Sequence, residues 1–400
     1  MVEKLYYSDP YLKHFDAIVT NAKGDKIFLD GTAFYPGGGG QQNDLGAIEG
    51  KNVKEVGKDG EDIYHIVPES SFKAGQKVHC DLDWERRYDL MRGHTGQHIL
   101  FRAMQEQNPD LGVGKVSINS DKKSLFFNGE MSWDMLRKAL ARANEIIASD
   151  LEVMIEEVSK DSPELERVRI KADRIEGDKV RIVRVADFDA AACGGVHVKR
   201  TGEIGGVAII KMVSGRQSSD WDVQFDIGLK ALQASSQLAV TAISVSNMLG
   251  CAPENVESTV KNLQASAEDL RERLKIASQK QLEDLQPEKV GGFIFYSAIV
   301  SGADRKTLND FASKLIRQEG AVVLFCDITE GAYMLVGCNE KISLDCPSFL
   351  KTGLEMVKGK GGGKKNFAMG GGTDASRAEE AFKAIRQVIT EKLASEFCCS

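Results

Sequence analysis

Two short spacings restrict this chain more than anything else in it. In MRGHTGQHIL (91–100), His94 and His98 are four positions apart, and at about 3.6 residues per helical turn both imidazoles fall on one helix face. In ACGGVH (192–197), Cys193 and His197 repeat the spacing in a glycine-bearing stretch that reads as a strand end or loop. Three imidazoles and a thiolate make a tetrahedral zinc set of the Cys/His type, so the fold is expected to seat a helix against a distant loop. A lone histidine is more often a core or surface residue, but two such pairs in one region make coincidence the weaker reading. Four protein ligands would close the site as a structural one, whereas three and a water would leave it catalytic. HTGQH lacks the glutamate that zinc proteases carry after the first histidine, which argues against a peptidase. His14, His65 and His79 have no such partners and are read as structural.

Four hundred residues exceed one ordinary core, which predicts two or three domains. With 42% hydrophobic and 28% charged residues the chain reads as globular, and only eight prolines leave little room for disordered linkers. No apolar run nears the roughly 20 residues of a membrane span. The opening MVEKLYYSDPYLKHF holds acidic residues and no signal-peptide core, so the expected location is the cytoplasm, with no membrane partner. Cys80, Cys193, Cys251, Cys326, Cys338, Cys346, Cys398 and Cys399 show no spacing of a disulfide framework. A formal charge of −7 argues against a general nucleic-acid coat, yet five lysines face the single Glu355 between 351 and 365.

Periodicity predicts an α+β protein in four segments. Residues 1–82 read as a small β-barrel: hairpin turns at Ala22–Asp25 and Lys58–Glu61 join short alternating runs, and a strand from Gln76 to Leu82 would close it. Between the hairpins lies TAFYPGGGGQQND (32–44), a glycine-rich loop flanked by groups suited to a small polar ligand. Residues 83–228 read as α+β, with a helix from about Glu85 to Met104 under the histidine pair and another from Ser132, a candidate N-cap. Residues 229–285 are helical, broken near Gly250–Pro253. Residues 286–400 alternate strands and helices as a compact α/β unit, except for GKGGGKKNFAMGGG (359–372), too glycine-dense for regular structure. That run reads equally as a solvated, mobile loop or as a contact for RNA backbone.

Together these motifs resemble one family. HTGQH and ACGGVH resemble the HxxxH and CxxxH pairs in the editing domain of alanyl-tRNA synthetase, and AFYPGGGGQQNDLG (33–46) looks like its glycine-rich editing loop. GKGGGKKNFAMGGG resembles the signature of the same synthetase's C-terminal domain. The aminoacylation core and its ATP motifs are not seen, so the chain is similar to the long form of AlaX, the free-standing alanyl-tRNA editing proteins. One departure is Gly37, where the family's loop usually has an acidic residue.

The resemblance implies an α+β editing region at 83–228 holding one zinc through His94, His98, Cys193 and His197. It implies hydrolysis of the ester on mischarged tRNA for alanine, chiefly serine and also glycine. The chemistry requires such a step: a pocket shaped for alanine cannot strongly reject an isostere with an added hydroxyl, whereas polar groups built for that hydroxyl are left unpaired by alanine. Thr32 and Gln41 are the implied recognition and catalytic residues, with Gly38, Gly39 and Gly40 lining the substrate. Lys358, Lys360, Gly361, Gly362, Gly363, Lys364 and Lys365 are the implied tRNA contacts in a C-terminal domain that binds tRNA or forms a homodimer. The alternative is a non-catalytic zinc-containing tRNA-binding or synthetase-associated module. A threonyl-tRNA synthetase editing fragment shares the ligand pattern, but the glycine signature at 361–372 favours the alanine system.

Overall fold

The chain enters through a two-residue strand, β1 (Glu3–Lys4), and one helical turn, α1 (Leu5–Ser8), before β2 (His14–Lys23). Alternation in the first half of β2 turns Phe15, Ala17 and Val19 inward and leaves His14, Asp16 and Ile18 exposed, as a half-buried strand requires. The computed structural model describes residues 2–170, 178–214 and 219–397, in two compact units, Met1–Ser244 and Val245–Ser400. The architecture is mixed α+β.

The first half of β2 pairs with β9 (Lys77–Leu82) and the second half with β3 (Lys26–Leu29), with a shift in register between Val19 and Asn21 that bends the strand between its partners. β4 (Gly31–Thr32) pairs in parallel with β1. The large sheet runs β6-β5-β9-β2-β3-β8-β7, where β5 is Gly46–Ile48, β6 Lys51–Val53, β7 Glu55–Asp59 and β8 Asp62–Ile66. Its end strands β6 and β7 are separated in sequence by Lys54 alone, so the sheet curls into a nearly closed barrel. The expected closing strand, Gln76–Leu82, is therefore not the closure: β9 lies inside the sheet, between β5 and β2. β5 and β6, at three residues each, are too short to leave an alternation signal.

α2 (Trp84–Gln107) begins where the Asp83 side chain accepts the Arg86 N–H, and almost every residue from Leu90 to Met104 is buried. Such a helix has no polar face. It is enclosed by α3 (Trp133–Ala148), capped by Ser132 as expected, and by a four-stranded sheet of order β10-β11-β16-β15. In that sheet β10 is Gly112–Ile118, β11 Lys123–Asn128, β15 Val207–Ser214 and β16 Trp221–Ile227; β12 (Val153–Ser159), β13 (Lys179–Val185) and β14 (Asp189–Ala192) form a separate antiparallel sheet.

Two helices follow, α4 (Gly228–Leu249) and α5 (Val256–Glu283), parted at Gly250–Asn255 as predicted. The second unit is built on the sheet β17-β18-β19-β20-β22-β21. β17 is Glu288–Val290, β18 Phe293–Val300, β19 Ala321–Asp327 and β20 Ala332–Cys338. Every residue of β19 and β20 is buried because helices cover both faces. Leu308 and Ala312 of α6 (Arg305–Leu315) pack with Val323 and Phe325, whereas Leu350 and Leu354 of α7 (Cys346–Met356) and Ile385 of α8 (Ala378–Phe397) pack with Val322 and Leu324.

The glycine run is where the sequence reading fails. Residues 359–372 are not a mobile loop: β21 (Lys360–Lys364) and β22 (Phe367–Gly372) form an antiparallel hairpin on β20. The glycines are what that packing needs. A Cβ at Gly370 would come 2.8 Å from the Gly361 Cα and 2.8 Å from Leu354 Cδ1, because α7 lies directly over the hairpin. The six described cysteines are free, and Cys398 and Cys399 lie outside the described residues. Among the described residues no helix is long and apolar enough to cross a membrane.

Candidate metal centre

The two predicted pairs meet. His94 and His98 lie one turn apart in α2, and the loop after β14 brings Cys193 and His197 against them, so that one ligand atom from each lies within 4.8 Å of the others. Cys193 Sγ is 3.3 Å from His94 Nε2 and 3.3 Å from His197 Nε2. The ring centroids are 4.5 Å apart for His94 and His197, and 5.0 Å for His98 and His197.

What suits this group to a metal is how the other ring nitrogens are used. His94 Nδ1–H donates to Gln41 Oε1 at 2.7 Å, His98 Nδ1–H to Asp189 Oδ2 at 3.3 Å, and His197 Nδ1–H to Thr95 Oγ1 at 3.1 Å. Each proton is thus held on the outer nitrogen, and three Nε2 lone pairs converge with the Cys193 sulfur. Burial raises the Cys193 thiol, but His94 and His197 against the sulfur outweigh it and hold the thiol well below its ordinary value. Burial, then the neighbouring His94, keep His197 neutral down to about 3. A thiolate and a neutral imidazole are the forms in which cysteine and histidine bind zinc, and Cys193 and His197 are held in them, so the donor set fits the metal.

Side chains that the sequence reading missed hold the loop. Arg181 Nη1 donates to the Cys193 and Gly195 carbonyls at 2.7 and 2.9 Å, and the Tyr7 hydroxyl donates to the Gly194 carbonyl at 2.9 Å. Asp189 is gripped by Arg169 Nη2 at 2.6 Å. Thr95 lies inside HTGQH and was in plain view; Asp189 and Arg181 carry no spacing that marks them.

The glycine-rich loop delivers Gln41. All four residues Gly37–Gly40 have positive φ, and the Gly40 carbonyl accepts Ile118 N–H at 2.7 Å, which clips the loop to the end of β10. Gly38, Gly39 and Gly40 are exposed and Gln41 is buried. Its Oε1 accepts from both His94 Nδ1 and Val196 N, while its Nε2 has no partner among the described residues. The loop is anchored from behind by Asp44, whose Oδ2 accepts Tyr35 N–H at 2.6 Å and Arg87 Nε–H at 2.8 Å.

Thr32 is fully buried and its Oγ1 lies 2.9 Å from His65 Nε2. His65 Nδ1–H donates to the Ile27 carbonyl at 3.1 Å, so Nε2 accepts the Thr32 hydroxyl proton, while Phe34 N–H donates to Oγ1. Burial pushes His65 down to about 4. The unfolded chain takes that proton near 6.5 and the native one only near 4, so stability is full above about pH 6.5 and falls as the pH drops toward 4. The loss is about 3 kcal/mol at 1.36 kcal/mol per unit. Urea denaturation at pH 7 and 4.5 should show a smaller drop for His65→Asn than for the wild type; equal drops would assign the loss to other groups.

In the second unit, Lys358, Lys360, Lys364 and Lys365 are exposed along the hairpin, as are Gly361, Gly362 and Gly363. Lys358, Lys360 and Gly361 line a groove of about 1110 Å³. Arg271 and Lys275 of α5 and Arg305 of α6 join them there, and Glu268, Glu272, Asp304, Asp327 and Glu330 balance those basic side chains, Lys275 being paired with Asp304 at 3.2 Å.

A Cys/His centre on a helix and loop, with a glycine-rich loop against it and a separate α/β unit, has the build of a tRNA synthetase editing module. Residues 180–223 match the family model of the threonyl and alanyl tRNA synthetase second additional domain, residues 8–86 that of class II (A) tRNA synthetases, and residues 291–391 that of the DHHA1 domain. The chain is 32% identical over 418 residues to the alanyl-tRNA editing protein AlaX-L of Pyrococcus horikoshii, covering 99% of each, and it belongs to that family of alanyl-tRNA editing proteins. It is also 31% identical to the alanine–tRNA ligase of Methanoculleus marisnigri and 29% identical to that of Pyrococcus abyssi, over 98% and 96% of this chain. It spans only 44% and 43% of those ligases.

Proposed function

We propose that this chain is a trans-acting deacylase that hydrolyses seryl and glycyl esters of tRNA for alanine and spares the alanyl ester. The reading is carried by one observation: a buried amide donor, Gln41 Nε2, is left unspent beside three imidazole lone pairs and a thiolate. Zinc held by His94, His98, Cys193 and His197 would supply a positive charge that anchors the amino acid or the terminal adenosine. Water adds to the ester carbonyl carbon, and the ribose oxygen leaves with a proton to give the free amino acid and tRNA. Aminoacyl esters are labile, so orientation can suffice without a strong general base. Gln41 Nε2 donates to the water or to the ester carbonyl, with exposed backbone at Gly38, Gly39 and Gly40 lining the entry. The Thr32 hydroxyl donates its hydrogen bond to His65 and accepts the Phe34 N–H, so one lone pair is left as an acceptor. A serine hydroxyl can donate to it; an alanine methyl cannot.

Residues 1–82 supply the loop, 83–228 the ligands, 229–285 a helical spacer, and 286–400 the tRNA contact, through Lys358, Lys360, Gly361, Gly362, Gly363, Lys364 and Lys365. The exposed Lys358, Lys360, Lys364 and Lys365 support that contact. Exposed Leu263 and Leu270 on α5 support a homodimer through the same region.

The test is deacylation of serine-, glycine- and alanine-charged tRNA by wild type and by Gln41→Glu, with metal content read alongside. The glutamate keeps an acceptor for His94 and removes the amide donor, so metal should be retained while seryl release falls on the order of 100-fold. Unchanged turnover would remove Gln41 from the reaction. Failure of the wild type to cleave any ester would leave a tRNA-binding module.

A further inference from the structure

On the outward face of the first unit, antiparallel pairing of β2 with β9 sets His14 opposite Asp81 and Asp16 opposite His79. All four side chains point to solvent, and the two imidazoles lie nearly parallel, 6.3 Å apart. His79 Nδ1 is 2.8 Å from Asp16 Oδ1, and a carboxylate there can only accept, so the imidazole proton sits on Nδ1. In the neutral ring, Nε2 then aims a lone pair at Asp81 Oδ1, 3.4 Å away. His14 Nδ1 approaches that same oxygen to 2.6 Å. Asp16, with Asp81 and Glu49 around it, raises His79 above its ordinary value, so two imidazoles and a carboxylate converge on a point that a proton bridges and that a metal cation can take in its place.

The His79 Nε2–Asp81 Oδ1 spacing suits a metal, and the 2.6 Å hydrogen bond between His14 and Asp81 would open for it by side-chain rotation. Two ligand atoms each about 2.1 Å from a tetrahedral ion stand about 3.4 Å apart, and one ligand atom from each of His14, His79 and Asp81 lies within 4.8 Å of the others. Rotation of exposed side chains covers the remainder. Asp16 stands behind His79 as the carboxylate that fixes tautomer and ring orientation. Glu49 adds negative charge, its Oε1 accepting the His79 backbone N–H at 2.6 Å, while Lys77 is engaged by Asp16 at 3.1 Å. We propose that His14, His79 and Asp81 form a second metal site, distinct from the Cys/His centre, that takes a first-row divalent ion such as Zn²⁺ or Ni²⁺ and leaves its other positions to water. Two imidazoles and one carboxylate select this class over Ca²⁺ or Mg²⁺.

Isothermal titration of the purified full chain, already loaded with one equivalent of Zn²⁺, with further Zn²⁺ and separately with Ni²⁺ tests this. One additional equivalent is expected in the wild type and none in His79→Gln, with editing activity and melting temperature of His79→Gln unchanged; Cys193→Ala, titrated from the metal-free state, should take up a single equivalent. Asp16→Asn should bind the second ion about 10- to 100-fold more weakly. Co²⁺ should broaden the ring-proton resonances of His14 and His79 in the wild type. Absence of a second equivalent, its persistence in His79→Gln, or broadening that spares these rings would overturn the site.

Discussion

Changing Gly195 to alanine is expected to empty the metal centre with all four ligands intact. A Cβ at that position would land on the His94 ring at Cε1 and Nδ1 and lie 2.9 Å from Gln41 Oε1. Neither can yield freely: His94 is held on a buried helix, and Gln41 is bonded to both His94 and Val196. Displacing the ring breaks the His94–Gln41 bond and swings Nε2 off the shared centre, so metal affinity should fall on the order of 100-fold, with seryl deacylation falling alongside. Gly194→Ala is the control. Its nearest neighbour would be the Tyr7 hydroxyl at 3.6 Å, ordinary contact, and that variant should keep its metal. Metal content after dialysis against a weak chelator reads both, and equal retention would show that the loop accommodates a methyl at either position.

Replacing Asp44 with alanine should cost about 3–5 kcal/mol of unfolding free energy, one of the larger effects open to a single residue. Arg87 has no exposure, and its guanidinium bonds to Asp44, to the Ala33 carbonyl and, at 2.9 Å, to the Pro10 carbonyl. Without Asp44 the positive charge stays buried with only carbonyls around it, and Tyr35 N–H loses its acceptor. The urea midpoint of the metal-loaded protein reads the loss. A combined Arg87→Met and Asp44→Leu change, which removes both charges, should recover part of it; a midpoint for Asp44→Ala equal to wild type would mean that water reaches Arg87.

What the sequence made legible follows from how each signal is written into it. The meeting of the two His/Cys pairs is readable because a helix turn and a short loop each bring residues four apart onto one side, and the Ser132 cap and the break at Gly250 are equally local. Asp189, Arg181, Arg87 and His65 were not, because their roles arise from contacts with residues far along the chain. His65 was taken as merely structural; the fold places it against Thr32, where it fixes which partner can bond to that hydroxyl. The glycine run at 359–372 misled for the opposite reason. Glycine density ordinarily argues against a strand, but here tertiary packing under α7 overrides it.

That hairpin has a consequence for how the protein avoids itself. β21 stands last in its sheet, so one row of its N–H and C=O groups looks outward, and three successive glycines leave that rim flat and free of side chains. A bare edge of this kind is a template on which a second molecule can add a strand, the first step toward aggregation. Lys360, Lys364 and Lys365 punctuate it with like charges that two such edges would have to bring together. The lysines proposed to contact tRNA thus also guard the rim, and a variant that neutralises all of them is expected to combine weaker RNA binding with self-association.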